Sequence, residues 1–465
     1  MLPGQYAQFG CRHIKKVKKM ISKLLKNINL KGNFLSILFL TAVAIRFYFI
    51  NHMLDIMPWS DMLCYDEYAL EILTGQGYNS AWPPIYIYLL SGLYYFFGHN
   101  YWIVQVVQIF ISSFNCLIAY FIGEEIFNKK TGIWACVISV LYLDYMFFAG
   151  VIMSETLFIF FLSSSVYLLV KGSKSRYAEY YYAAAAFGLT LSALTKSMLF
   201  GIMPGIVIWI TVNHWKEGIR KVSRKVIIFC SVFIITMLPW KIMIYYVRGI
   251  DAAVVSYSGI GFYTAHNPKA NGGYVSMYFE GSPIKRSMSW AEQNRVCWRE
   301  GIKFIFHHPF HEMYLIILRF TKQWTFQTHF SYYTACYVNK IVQVFLPILT
   351  NAVLYPFCFL GMVFSFRKKE TLLLSVIIGS FTGLFLFVFS GSTRHHLASI
   401  PFIIVLAAYG ITIFPELFSK WKINALSCLE KKKIQIVVFI AIILYANLTY
   451  QLIVRFKPVM EWLRG

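Results

Sequence analysis

The chain has 465 residues and a mass of 54.0 kDa; 58% of its residues are hydrophobic, 18% aromatic and only 14% charged, and its mean hydropathy is +0.58. Soluble domains carry about 25% charged residues, so this composition excludes an ordinary globular enzyme, a disordered chain and a DNA-binding module. The net charge is +23, from 43 Lys and Arg against 20 Asp and Glu. On an apolar chain that excess points to cations held in the cytoplasmic loops of a multi-span membrane protein, and no nucleic-acid partner is expected.

A spanning helix needs about 20 mostly apolar residues. Eleven segments qualify: 34–52, 101–122, 131–148, 152–170, 177–195, 197–212, 225–247, 341–366, 371–390, 397–414 and 434–455. Residues 83–98 open on Pro83-Pro84 and end at Gly98, and residues 310–328 contain Arg319 and Lys322. Both read as helices lying at the membrane surface or half-inserted. The predicted fold is an all-α polytopic membrane protein, with about 11 transmembrane helices, two juxtamembrane or half-length helices and a large first external loop.

Basic residues set the orientation. Residues 1–31 hold Arg12, Lys15, Lys16, Lys18, Lys19, Lys23, Lys26 and Lys31, so this stretch is expected in the cytoplasm, ahead of a retained anchor rather than a cleaved signal peptide. The later cytoplasmic loops then carry Lys129-Lys130; Lys171, Lys174 and Arg176; Lys216, Arg220, Lys221, Arg224 and Lys225; Arg367 to Lys369; and Lys420, Lys422 and Lys431 to Lys433. The first external loop, 53–82, has no Lys or Arg but carries Asp55, Asp61, Asp66, Glu67 and Glu71. Counting 83–98 as a full span would put the next three basic loops outside, against the positive-inside rule. Four parts follow. Residues 1–31 form a basic cytoplasmic N-terminus. Residues 32–247 form an N-terminal transmembrane module with the acidic external loop, 53–82, as its candidate functional segment. Residues 248–340 form an external segment with juxtamembrane helices, and residues 341–465 the C-terminal transmembrane helices. The nine cysteines include Cys116, Cys136, Cys230 and Cys358 within spans and Cys64, Cys297 and Cys336 outside. They show no C-x-x-C spacing and no disulfide framework.

Ionisable groups at or within a membrane are costly and mark function by default. In a helix over 60–75, Asp61, Tyr65, Tyr68 and Ile72 share a face, Asp66 points away, and Glu67 and Glu71 pair on another side. Asp61 is then either a reacting carboxylate or a helix N-terminal acid that complements the dipole. Glu155, in "GVIMSETLF", stands at the external end of the fourth span, where Ser154-Glu155 also reads as a helix start. Asp144 is near the external end of the span before. Lys196, in "LSALTKSMLFGIMP", sits in a short external connection, as an anion partner or a snorkelling lysine. Arg394, in "GSTRHHLASIP", ends the ninth span and is followed by His395 and His396. Its fork of donors suits phosphate oxygens. Adjacent histidines point different ways on a helix, so they make no metal motif. Carboxylates that can accept a proton, with cations that can stabilise a departing phosphate, suit an anionic lipid-linked substrate at the outer membrane surface.

These residues lie in motifs that resemble, in order, those of the GT-C superfold of integral-membrane glycosyltransferases. The likeness is to bacterial relatives of the protein O-mannosyltransferases (glycosyltransferase family 39), which also resemble the lipid A aminoarabinose transferase. "SDMLCYDEYALEILTGQGY" resembles the first-loop motif, and "WPPIYIYLLSGLYYFFG" the Pro-Pro segment after it. "GEEIFNKKTG" is similar to the basic cytoplasmic turn, "MSETLF" to the second acidic motif, "LTKSMLFGIMP" to the Thr-Lys/Arg motif and "LPWKIMIYYVRG" to the Pro-Trp span end. "GFYTAHNPKANGGY" is similar to the external Asn-Pro…Gly-Gly-Tyr loop, "FIFHHPF" to a His-Pro helix end and "STRHHLASIPF" to the arginine motif near the C-terminus.

The resemblance spans roughly residues 34–410 and implies a hexosyltransferase reaction. A sugar on a polyprenyl phosphate passes, usually with inversion, to a lipid, glycan or protein acceptor through a hydroxyl or amine. Asp61 would be the base and Glu155 a supporting acid. Lys196 and Arg394 would contact the donor phosphate, Tyr65 would bind substrate beside Asp61, and His266 and Asn267 would line the site. The family often has Arg-Tyr-Arg where this chain has Arg394-His395-His396, so His395 is placed with the substrate-binding residues as a replacement for one cation. The acids form no compact ligand set, so no obligatory metal or other cofactor is expected. The implied location is the cell membrane, multi-pass, with the N-terminus cytoplasmic and the active site extracytoplasmic. A polyprenyl-linked glycan polymerase or ligase would use the same carriers. A transporter or flippase for lipid-linked sugars is the rival of another class, and its charges belong near the bilayer midplane.

Overall fold

The computed structural model describes residues 34–53, 58–78, 80, 82–248, 258–326 and 340–464. The basic stretch 1–31, Asp55 and Cys336 lie outside the described residues. Among the described residues every regular element is helical. The N-terminal part runs α1 (Phe34–Met53), α2 (Asp61–Leu73), α3 (Pro84–Phe97), α4 (Tyr101–Ile126), α5 (Lys129–Leu141), α6 (Leu143–Gly150), α7 (Glu155–Lys174), α8 (Ala178–Ala193), α9 (Met203–His214) and α10 (Ile219–Arg248). Three further helices follow, α11 (Ser258–Ala265), α12 (Trp290–His307) and α13 (Pro309–Gln323). The chain ends with α14 (Lys340–Ser365), α15 (Lys369–Phe387), the one-turn α16 (Thr393–His396), α17 (Ile400–Lys422) and α18 (Cys428–Arg464).

Nine helices among the described residues are long and apolar enough to cross a membrane, or ten if α5 and α6 count as one span bent by 52°. Two of the eleven expected spans therefore change. The expected span 131–148 is broken at Tyr142, whose backbone is extended, and Asp144 restarts the helix in the first turn of α6, where a carboxylate complements the helix dipole. The expected span 177–195 is the 16-residue α8, about 24 Å long at 1.5 Å per residue and short of the roughly 30 Å hydrocarbon core. Its apolar composition continues into a 3₁₀ turn at Ser197–Ile202 rather than into the same helix.

The two short apolar elements are helices of less than spanning length. Helix α3 starts with proline in its first turn and ends at Gly98 after 14 residues. Helix α13 turns its charges inward: Glu312 and Arg319 are buried, while Phe310, Met313 and Ile317 are exposed, Phe310 by 85%. An apolar outer face is what a helix bordering lipid carries.

Helix α17 forms the centre. Its residues from Ile400 to Ala408 are buried without interruption, and it packs on α14, α5 and α4. It meets α14 at Gly361 and Gly410, where an added Cβ on Gly361 would stand 1.9 Å from the Leu406 carbonyl oxygen. Small residues at such crossings let backbones touch, which drives helix association in lipid. Side-chain caps fix neighbouring starts: Asn100 accepts from the Trp102 amide and Asn128 from the Thr131 amide. This frame brings four chain ends together: the start of α2, the start of α7, the turn after α8 and the segment leading into α17.

Candidate active site

Asp61 is the first residue of α2, preceded by Ser60 at φ 50°. A non-glycine residue there costs about 1–3 kcal/mol and persists only where its surroundings enforce it. Glu155 is the first residue of α7 and only 2% exposed. Lys196 follows α8 in extended backbone. Arg394 lies in α16, and Ser392 caps that turn by accepting from the Arg394 amide.

These four charges are in direct contact. The Arg394 guanidinium donates through Nη1 to Asp61 Oδ2 and through Nε to Glu155 Oε1. Lys196 Nζ donates to the same Glu155 Oε1 at 2.5 Å. One arginine fork thus bridges two carboxylates, and one carboxylate oxygen serves two cations. The charges sum to zero, so neither expected phosphate-binding cation stands free. Glu155 Oε2 is buried without a hydrogen-bond partner among the described residues. Burial pulls the Lys196 ammonium below its ordinary lysine value, an effect that Glu155 partly offsets and Arg394 reinforces.

Tyr65, one turn along α2 from Asp61, is buried edge-on against Trp82 and Tyr86 and donates to Ser154 Oγ at 2.9 Å. Burial holds its phenol well above the ordinary tyrosine value, so it stays a hydroxyl. It ties α2 to the residue preceding Glu155. His395 stacks on Phe385 with ring centroids 4.1 Å apart.

His266 and Asn267 are both fully buried but are not brought into contact with these four charges. Asn267 closes its own turn, donating to the Tyr263 carbonyl at 2.7 Å and accepting from the Lys269 amide at 2.8 Å. His266 Nδ1 lies 3.0 Å from Glu312, and Arg319 Nη1 donates to the same carboxylate at 2.7 Å. Burial raises the Glu312 carboxyl, but hydrogen bonds from His266 and Arg319 outweigh this and hold it below its ordinary value. Glu312 and Arg319 lie beyond what the sequence motifs mark; their spacing of seven, which sets an acid and a base on one helix face, is the signal the sequence carries.

Asp66 faces away from Asp61, as its place on α2 predicts. It is buried and accepts from Tyr94 at 2.6 Å and Tyr101 at 2.7 Å, with His99 at 2.9 Å. These aromatic partners anchor α2 on α3 and α4. Among the described residues no group of three or more His, Cys, Asp or Glu is placed to hold a metal ion.

Residues 81–242, roughly a third of the chain, match the family model described as dolichyl-phosphate-mannose-protein mannosyltransferase. That segment contains Glu155 and Lys196 but neither Asp61 nor Arg394. No curated protein sequence matches. Solved structures of like fold include the archaeal oligosaccharyltransferase AglB from Archaeoglobus fulgidus, in complex with an inhibitory peptide and a dolichol-phosphate (TM-score 0.51, 13% identity, covering 91% of this chain and 56% of that one). They also include ArnT from Cupriavidus metallidurans in the apo state (TM-score 0.51, 12% identity, covering 92% of this chain and 73% of that one) and the same enzyme bound to undecaprenyl phosphate, with the same figures. The chain spans little more than half the length of the archaeal protein, and at these identities the likeness is one of fold. About a third of the chain thus matches a family of membrane glycosyltransferases, and the chain as a whole shares its fold with the archaeal oligosaccharyltransferase and with ArnT.

Proposed function

We propose that the protein moves a sugar from a polyprenyl-phosphate-linked donor to a hydroxyl or amine of a lipid, glycan or protein acceptor, at the extracytoplasmic face of the cell membrane. The N-terminus is then cytoplasmic, in keeping with its eight basic residues. The observation that carries this reading is the contact of Asp61, Glu155, Lys196 and Arg394 at four adjoining chain ends. Two solved proteins of this fold are described with dolichol-phosphate and undecaprenyl phosphate bound, which supports a polyprenyl carrier here.

The chemistry follows from the residues. The acceptor oxygen attacks the anomeric carbon and loses its proton to Asp61. The bond from that carbon to the phosphate oxygen breaks, and the electron pair leaves with the phosphate. Lys196 and Arg394 stabilise that charge, in a setting where preorganised donors act more strongly than in water. Glu155 holds both cations, and its unpaired Oε2 is left to accept from a substrate hydroxyl. Because Arg394 rests on Asp61, both groups become available only when a phosphate oxygen replaces that carboxylate on the guanidinium. Donor arrival thereby frees the base. No metal ion is needed for this charge stabilisation. A transporter is less well supported, because the four charges sit at helix ends rather than midway along spans.

The test is sugar transfer by purified protein from a panel of polyprenyl-phosphate sugars. Asp61→Asn should lower turnover by about 10²- to 10⁴-fold, the usual contribution of a general base, with folding in detergent unchanged. Retained turnover would remove Asp61 from that role.

A further inference from the structure

We propose that Arg319 is a positioning residue for Arg394, clamping the loop that carries Arg394 into the site. This rests on the reading of Arg394 as a donor-phosphate ligand. Arg319 is fully buried on α13, and its fork reaches three chain segments. Nη1 donates to the Leu386 carbonyl at 2.8 Å, at the C-terminal end of α15, and Nη2 to the Ala265 carbonyl at 2.6 Å, the last residue of α11. The last carbonyls of a helix lack intrahelical partners, and an arginine at them satisfies both hydrogen bonding and the dipole. Glu312, from the preceding turns of α13, supplies the counter-charge.

The backbone at Arg319 is gripped as well. An added Cβ on Gly391 would stand 2.7 Å from the Arg319 carbonyl oxygen, and one on Gly272 would stand 2.6 Å from Leu318 Cβ and 3.1 Å from the Arg319 amide nitrogen. Between them the Gly391 amide donates to the Gly272 carbonyl at 2.9 Å. The Asn-Pro…Gly-Gly-Tyr loop and the loop before α16 therefore close on one residue of α13. Three residues after Gly391 comes Arg394. Beyond it, Trp324, which follows α13, packs on the His396 ring at 4.6 Å. The chain on both sides of Arg394 is thus held by the end of α13, whereas Arg319 itself touches none of the four site charges. The His266 cluster belongs to this clamp.

Two readouts test it. The first is thiol labelling of Ser390→Cys, a position buried in the clamped loop, read as excess over the parent chain. The second is equilibrium binding of undecaprenyl phosphate. Arg319→Lys keeps the charge opposite Glu312 but cannot reproduce the fork, so it should raise labelling roughly tenfold and weaken binding several-fold. In an Arg394→Gln background the same substitution should weaken binding no further, the non-additivity that marks residues acting through one another. Unchanged labelling would overturn the clamp, and so would an equal loss of binding with and without Arg394. If Arg319→Lys does not fold, Gly391→Ala attacks the same contact from the loop side and is read in the same way. If the parent chain does not bind undecaprenyl phosphate, the donor reading fails, and labelling alone decides whether Arg319 holds the loop.

Discussion

Lys196 reaches only one carboxylate oxygen, which it shares with Arg394, and its charge is the less secure of the two. Burial lowers its pKa from the ordinary lysine value, so the ammonium is lost at a lower pH than on an exposed lysine. The donor phosphate then loses a partner while the guanidinium keeps its proton. The expected outcome is a donor KM that rises as pH climbs through the lowered lysine pKa. Lys196→Arg should remove that alkaline limb, because a guanidinium does not titrate there. An unchanged limb in the variant would show that another group titrates. At this scale the sequence was informative: charged residues on an apolar chain stand out, and Asp61, Glu155, Lys196 and Arg394 were all legible. Their pairing was not. Asp61 and Arg394 are 333 residues apart, and no local pattern says that one fork will bridge two carboxylates.

Among the elements, α17 carries the site most directly, because its buried N-terminal half follows Arg394 and fixes its depth. Its backbone contact with α14 at Gly361 and Gly410 leaves no room for a side chain; a Cβ on Gly410 would stand 2.1 Å from the Phe357 carbonyl oxygen. Gly410→Ala should therefore destabilise the protein by about 1–3 kcal/mol, the usual cost of overpacking, measured as a lower Tm in detergent. An unchanged Tm would mean that the two helices part without cost. Spans were legible where apolar runs are long, but hydropathy averages over helix ends. It merged α5 with α6 and counted the 16-residue α8 as a full span. Helix α13 shows the same limit from the other side. Arg319 and Lys322 marked it as interfacial, yet Arg319 faces inward and Lys322 donates to Asn271. Which charge a helix buries depends on the helix ends it meets, here α11 and α15.

For the whole molecule, the net charge of +23 separates into orientation and chemistry. Most of the cations fall in loops that the positive-inside rule assigns to the cytoplasm. At the site the charge is balanced, two carboxylates against two cations, and Glu312 and Arg319 form a further carboxylate–guanidinium pair. Buried charges persist only when paired and hydrogen-bonded, and in the proposed reaction Lys196 and Arg394 supply the charge that the leaving phosphate needs. Transfer activity is accordingly expected to survive prolonged treatment with EDTA, assayed in chelator-treated buffers; loss of turnover restored by a divalent cation would assign the leaving-group stabilisation to a metal instead. The ordered motifs were legible as a set, and the structure adds that they converge: the first loop, the acidic motif, the Thr-Lys motif and the arginine motif supply one charged residue each.

The central claim is that Arg394 leaves Asp61 for the donor phosphate. It is tested most directly by the equilibrium affinity of undecaprenyl phosphate for Asp61→Asn beside the parent protein. Removing the competing carboxylate frees the guanidinium, so the variant should bind the lipid phosphate tighter, by about tenfold for a charge-assisted hydrogen bond no longer contested, although its turnover falls. Equal or weaker binding by Asp61→Asn would contradict the exchange.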